Sequence, residues 1–187
     1  AGTCMVMGTA STIACAVEAL GMCLPLSATI PATHADRIRS AEASGRAAVT
    51  LAQNGPRPSE ILTAAAFRNA LIVTQSIGGS TNALIHLTAI AGRLGIRIDL
   101  GEFDKLGREV PVLIDLKPSG QHYMEHFHWA GGVPRLLREL ESLLDTSART
   151  VTGSLRDTLQ TATDTHAQTV IRPRSDPINA SGSMAVL

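Results

Sequence analysis

The chain has few aromatic residues, few cysteines and no excess of either charge. Phe, Trp and Tyr make up 3% of its 187 residues, and 16 basic side chains balance 16 acidic ones. This balance argues against a surface for polyanions, so we expect no nucleic-acid partner. The longest apolar runs are too short to span a bilayer, and no signal-peptide pattern opens the sequence, so we expect no membrane partner.

The three cysteines exclude a disulfide framework. Cys4, Cys15 and Cys23 form neither a C-x-x-C pair nor an even set. A reducing cytoplasm is therefore the expected compartment. What the chain does have is Ala, Leu, Ile and small residues, a composition that suits closely packed helices around one core.

Cys4 lies in a stretch of small and hydroxylated residues just before a strong helix former, residues 13–20, which Gly21 closes. Thr9, Ser11 and Thr12 can cap that helix. Free amides and the positive end of the helix dipole favour a thiolate over a thiol. Such a thiolate can bind a soft metal or cluster, or act as a nucleophile. The alternative is an ordinary buried cysteine.

A second informative stretch covers residues 76–82. Gly78 and Gly79 permit a tight loop with positive φ, and Ser80 or Thr81 can cap a helix from Asn82 to Arg93. A glycine-rich loop that enters a helix can bind an anion such as a carboxylate. The alternative is a plain capped helix, and we interpret His86 on that helix as structural.

Histidines cluster near position 125. On a helix, His122 and His126 share one face and can reach one metal ion, and Glu125 and His128 could add ligands. The alternative is an amphipathic helix without a metal.

Local patterns predict a helix-rich α/β chain with a small, mostly parallel sheet. The apolar run at residues 70–73 fits either a helix or a strand. The other predicted elements are helices at 35–52, 60–66, 135–144 and 154–162, and strands at 96–98 and 110–114.

Four ordered blocks of the sequence belong together: residues 2–12 with 18–22, 78–83 with 85–87, 115–120, and 131–134. They resemble the family of dihydroxy-acid and sugar-acid (phosphogluconate-type) dehydratases, and the resemblance covers nearly the whole chain. The Met-Gly-Thr-Ala-Ser-Thr variant in the first block is more similar to the pentonate (arabinonate or xylonate) enzymes than to the branched-chain biosynthetic one.

The resemblance implies an internal fragment of a longer enzyme. Residues 1–168 would form part of an N-terminal α/β domain, and residues 169–187 a linker and the first strand of a C-terminal β-barrel-like domain. The family's other cluster cysteines and its magnesium ligands would lie upstream, and its serine base downstream, so this chain would hold no magnesium ligand. A homo-oligomeric parent is expected.

The activity implied is removal of water from a 2,3-dihydroxy or sugar acid, which gives a 2-keto-3-deoxy acid. An iron–sulfur cluster, 2Fe–2S or 4Fe–4S, and Mg²⁺ are the implied cofactors. Cys4 would ligate the cluster. Residues expected to line the cluster or substrate are Met7, Gly8, Thr9, Ser80, Thr81 and Asn82.

Two alternatives remain at this point. One is a zinc-binding module built on the histidines of residues 122–128. The other is a truncated, catalytically incomplete scaffold. In either the fragment or the scaffold case, the isolated chain is expected to be inactive.

Overall fold

A computed structural model describes residues 4–162 and 166–186. Gly2 and Thr3 of the first sequence block, and Leu187 at the end of the predicted linker and strand, lie outside the described residues. Helices dominate the described chain. They are α1 (Thr9–Ala19), α2 (Ala35–Asn54), α3 (Pro58–Ile61), α4 (Ala64–Ser76), α5 (Asn82–Gly92), α6 (Leu100–Glu109), α7 (Met124–Trp129), α8 (Gly132–Glu139) and α9 (Leu155–Gln160), with a 3-10 turn at Glu141–Leu143.

The predicted helix-rich α/β class is confirmed, but the expected strand direction is not. The small sheet among the described residues pairs β1 (Arg149–Thr150) with β2 (Gly153–Ser154) in antiparallel register. Gly153, at a φ of 138°, lets the chain reverse within two residues. A hairpin this short cannot be parallel, because parallel strands need a long crossover.

Helix α4 is the centre of the core. Ten of its 13 residues are buried, among them Phe67 and Ile72, and α1, α5 and α6 pack around it. One of its buried polar side chains ties it to a distant loop: the Asn69 amide exchanges two 2.9 Å hydrogen bonds with the Asp145 backbone. Because α4 runs from Ala64 to Ser76, the open choice at residues 70–73 is settled in favour of a helix.

The stretch from Val110 to Leu116 runs through the core as extended chain. Val110, Leu113 and Ile114 are buried as predicted. The stretch forms single β-bridges rather than a full strand. The bridge partners are Asn179 for Val112, Ile171 for Ile114, and His122 for Leu116. These bridges place the loop at residues 115–120 beside α7.

The predicted end of α1 is confirmed, because Gly21 follows it at a φ of 80°. Asp99 caps α6 by accepting from the Glu102 amide at 3.0 Å. The strand expected at residues 96–98 is wrong, because that segment has no strand pairing. Helix α8 stops at Glu139, before the predicted residue 144, and the chain tightens into the 3-10 turn.

Residues 170–184 lie against the same core as the helices. Val170 and Ile171 are buried, and the Gln75 amide exchanges hydrogen bonds of 2.9 and 3.1 Å with the Met184 backbone. The assignment of residues 169–187 to a linker and a second domain stays a prediction. None of the described helices is long and apolar enough to cross a membrane.

Candidate active site

The loop that carries Cys4 is tied to two other parts of the fold. The Met7 amide donates to the Lys117 carbonyl oxygen at 2.8 Å, and the Met5 carbonyl accepts from the Met124 amide at 2.9 Å. Ser11 at the start of α1 donates to the Val6 carbonyl at 2.8 Å. Cys4 is thereby fixed between α1, the 115–120 loop and the first turn of α7.

The surroundings of Cys4 favour its ionised form. Hydrogen bonding with the Val6 backbone, then with the Ser11 hydroxyl, lowers the pKa of the Cys4 thiol, while partial burial opposes the shift. Gly8 lies against the sulfur: a methyl group there would be 3.4 Å from Cys4 Sγ. The absence of a side chain at position 8 therefore keeps this side of the thiol accessible.

The two stretches that the sequence singled out meet in space. Thr9 Oγ1 lies 3.0 Å from Ser80 Oγ and accepts from Asn82 Nδ2 at 2.9 Å. Thr12 Oγ1 accepts from the Ser80 amide at 3.0 Å. The residues involved are about 70 positions apart, so this network joins the entrance of α1 to the entrance of α5.

Glycines make that close approach feasible. Gly78 has a φ of 66°, and a Cβ on Gly79 would come within 2.8 Å of both Thr12 Cγ2 and the Thr74 carbonyl oxygen. Of the expected lining residues, Met7 is buried in the core, whereas Thr81 is exposed. Thr81 is the N-cap of α5 without a side-chain cap bond.

A cleft of about 210 Å³ opens beside Cys4. One wall is apolar and comes from α1 and the turn that follows it, with Ala10, Ala14, Ala28, Ile30 and Pro31 among its residues. Another part of the lining comes from the start of α7 and includes Tyr123 and Glu125. Lys117 Nζ donates to the Tyr123 hydroxyl at 2.9 Å, which places a cation next to this part of the lining.

Sequence reasoning missed most of this cleft. The signal at Tyr123 and Glu125 was their position next to the 115–120 block, but the 28–31 segment carried only turn signals. Its approach to Cys4 is a tertiary contact that no local pattern encodes.

The other two cysteines lie in a different environment. Cys15 is fully buried on α1, and burial raises the pKa of its thiol. Burial also raises the pKa of Cys23 to about 11, with the neighbouring Glu18 adding to the shift. Both environments therefore favour the neutral thiol, whereas the pKa of Cys4 is shifted in the opposite direction.

The histidines of residues 122–128 do not all converge, although the rings of His122 and His126 lie 5.5 Å apart. His126 Nδ1 accepts from the Tyr123 amide at 3.1 Å, so it caps its own helix. His128 lies 3.0 Å from Thr29 Oγ1 on the other side of α7, and His122 lies near Thr169 and Asp115. Across residues 4–162 and 166–186, no three His, Cys, Asp or Glu side chains form a group that could hold a metal ion.

Among the sequence-predicted sites, the geometry therefore favours the one around Cys4. Comparison with known proteins bears on the family of the chain. A family model described as "Dihydroxy-acid/6-phosphogluconate dehydratase N-terminal" matches residues 1–160. The chain belongs to this family. The resemblance drawn from the four sequence blocks is confirmed.

Relatives within the dehydratase family align along the whole chain. A dihydroxy-acid dehydratase of Methanospirillum hungatei is 40% identical over 186 residues, and one of Moorella thermoacetica is 42% identical over 188. Each alignment covers 100% of this chain and 34% of the relative. A mitochondrial dihydroxy-acid dehydratase of Aspergillus fumigatus is 44% identical, with 31% of its length covered.

The chain thus spans about a third of the length of these dehydratase relatives. It corresponds to a part of such proteins, as the sequence led us to expect. The names of the relatives do not test the narrower resemblance to pentonate dehydratases, which stays a prediction. The zinc module is not supported as the function, because the chain belongs to a dehydratase family and the described residues contain no group of three side chains that could hold a metal ion.

Proposed function

We propose that this chain forms one wall of the active site of a hydro-lyase that dehydrates a 2,3-dihydroxy acid or sugar acid to a 2-keto-3-deoxy acid. The observation that carries the proposal is the placement of Cys4. Its thiol, with a lowered pKa, lies at the edge of a cleft and beside the network that joins α1 to α5.

The chemistry of Cys4 fits one ligand of an iron–sulfur cluster. A partly exposed cysteine with a lowered pKa offers the thiolate that such clusters require. Cys15 and Cys23 do not fit, since both are in sites that favour the neutral thiol. The remaining ligands, and those of Mg²⁺, would come from parts of the parent protein beyond these residues.

When bound, the cluster would supply a Lewis acid for the departing 3-hydroxyl group, and Mg²⁺ would hold the carboxylate. The residues of this chain have supporting tasks. Cys4 orients a thiolate toward the cleft. Thr9, Ser80 and Asn82 fix the two loops relative to each other and present hydroxyl and amide groups for substrate oxygens. The apolar wall at Ala28 and Ile30 limits access of water.

The same proposal extends to the setting of the parent enzyme. A small dihydroxy or sugar acid would be its partner in the cleft, with no nucleic acid or membrane involved. The parent would be a homo-oligomer in a reducing compartment such as the cytoplasm, where a cluster and free thiols persist.

The test is an assay of a full-length enzyme that contains this segment. We expect 2-keto acid formation from a branched-chain 2,3-dihydroxy acid or from a pentonate such as arabinonate or xylonate, and the preferred substrate tests the pentonate prediction. The matched control is the isolated 187-residue chain after treatment with iron and sulfide. We expect that chain to form no stable cluster. No 2-keto acid from either substrate class would refute the proposal.

A further inference from the structure

The turn between α1 and α2 carries an apolar wall of the Cys4 cleft and is held by the side chains of Glu18 and Arg37. We call residues 24–31 the wall segment. Ala28, Thr29, Ile30 and Pro31 line the cleft together with Tyr123. The segment belongs to no helix or strand, and side chains of both neighbouring helices hydrogen-bond its backbone.

Glu18 of α1 holds the inner side of the wall segment. Its carboxylate accepts from the Leu26 amide at 2.6 Å and from the Ala28 amide at 2.9 Å. The Glu18 side chain is 2% exposed. A buried charged side chain is rare and costly unless it is paired, and here backbone N–H groups provide the pairing.

Arg37 of α2 holds the outer side. Its guanidinium donates to the Ser27 carbonyl oxygen at 3.2 Å and to the Ile30 carbonyl oxygen. The Glu18 carboxyl group thus accepts from two N–H groups of the wall segment, and the Arg37 guanidinium donates to two of its C=O groups. Leu26 between them has a φ of 69°, a strained backbone for a residue with a side chain. Strained backbone persists only where its surroundings hold it.

We propose that Glu18 and Arg37 are positioning residues that set the width of the Cys4 cleft by clamping the wall segment from both sides. Only the identity of the cleft's occupant rests on the proposed function. The clamp itself is a property of this chain and can be tested without an assay of turnover.

The experiment compares how a small and a bulky maleimide label Cys4 in the 187-residue chain, with peptide mapping to separate the three cysteines. The ratio of the two rates reports the width of the cleft, because any change in the thiolate fraction of Cys4 cancels. Glu18→Gln leaves only one oxygen to accept from two amides. Arg37→Lys keeps the charge, but its single ammonium group cannot reproduce the planar fork that spans two carbonyls.

In both variants we expect the bulky-to-small ratio at Cys4 to rise about tenfold, as a lost hydrogen bond to a charged group would allow. Glu42→Gln and Arg46→Lys are the matched controls, since this pair is exposed on α2 and its members bond each other at 2.7 Å. Both controls should keep the ratio of the unaltered chain. Buried Cys15 reports global opening, and its labelling should stay slow in all four variants.

Two results would overturn the clamp. One is a ratio within about twofold of the unaltered chain in both Glu18→Gln and Arg37→Lys. The other is a rise at Cys4 that is matched by an equal rise at Cys15, which would show general loosening. If the parent enzyme had no dehydratase activity, the proposed function would be refuted. The labelling result would still decide whether Glu18 and Arg37 hold the wall segment.

Discussion

Two regions of the molecule carry the residue types that bind metals, and the fold treats them differently. In the Cys4 loop, backbone and hydroxyl groups lower the thiol pKa at the edge of a cleft. In the histidine segment, residues 122–128, one ring nitrogen of each histidine already has a hydrogen-bond partner in the fold. Residue type and spacing were suggestive in both regions. What separates the two regions is whether the ligand atom faces a cleft or is already hydrogen-bonded elsewhere.

The largest effect is expected from removing the donor atom in the Cys4 loop. In a full-length enzyme that contains this segment, Cys4→Ser should reduce turnover at least about a hundredfold. Mutation of a residue that only hydrogen-bonds to a metal ligand can already reduce activity up to about a hundredfold. Serine has nearly the same size, but its alcohol stays protonated and is a poor ligand for a soft metal. Turnover and visible absorbance measure the result.

Cys15→Ser is the control for Cys4→Ser, because Cys15 is buried and its raised pKa keeps it a packing thiol. It should retain the cluster absorbance and most of the activity. If Cys4→Ser retained both as well, the contrast between the two regions would lose its basis.

The comparison can be sharpened inside α1, where burial outweighs hydrogen bonding. The net shift in pKa at Glu18 is therefore upward, whereas at Cys4 it is downward. Burial raises the pKa of Glu18 to about 7 from its ordinary 4.5, while its bonds to the Ala28 and Leu26 amides oppose the shift. The folded chain therefore holds this proton more tightly than the unfolded chain does. The stabilisation that results is complete below pH 4.5 and is lost as pH rises through about 7.

Urea unfolding across this pH range measures the effect of Glu18. The unaltered chain should lose on the order of 2 kcal/mol relative to Glu18→Gln, whose side chain does not titrate. The exposed Glu42→Gln variant should follow the unaltered chain. Parallel curves for Glu18→Gln and the unaltered chain would mean that Glu18 does not hold its proton in the fold.

The contact between the two loops gives a smaller effect. Thr9→Val removes the oxygen that bonds both Ser80 and Asn82. We expect a loss of about 1–2 kcal/mol in the free energy of unfolding. Thr50→Val is the control, because the Thr50 hydroxyl bonds only the Arg46 carbonyl on exposed α2, and it should change stability by less than about 0.5 kcal/mol. Equal values for the two variants would show that the contact contributes nothing.

These cases show what the sequence could and could not predict. The entrance of α1 and the loop before α5 were predictable, since caps and glycines act within a few residues. The burial of Glu18 was not. Its only sign was a charged residue in the apolar run at residues 13–20, and its partners on the wall segment depend on the strained turn at Leu26. Leucine gives no sequence signal for positive φ.

The strand prediction at residues 110–114 failed in part for a related reason. The apolar run correctly predicted burial, but strand assignment needs neighbours. The partners of Val112 and Ile114 come from residues 179 and 171, more than 50 positions later. Burial follows from composition, whereas pairing depends on contacts between distant parts of the chain.

The smallest effect is expected in the histidine segment, and it tests the comparison from its other side. His126 caps α7 by accepting from the Tyr123 amide, and its side chain is 36% exposed. His126→Ala should cost about 1 kcal/mol of stability through the lost cap. In a full-length enzyme it should leave turnover within a few-fold and metal content unchanged.

His86→Ala, at an exposed position of α5, is the control for removal of an imidazole, and should change neither stability nor turnover. A joint loss of bound metal and activity in His126→Ala alone would show that the histidine segment holds a metal after all. The contrast with the Cys4 loop would then have to be abandoned, because a helix cap cannot account for a change in metal content.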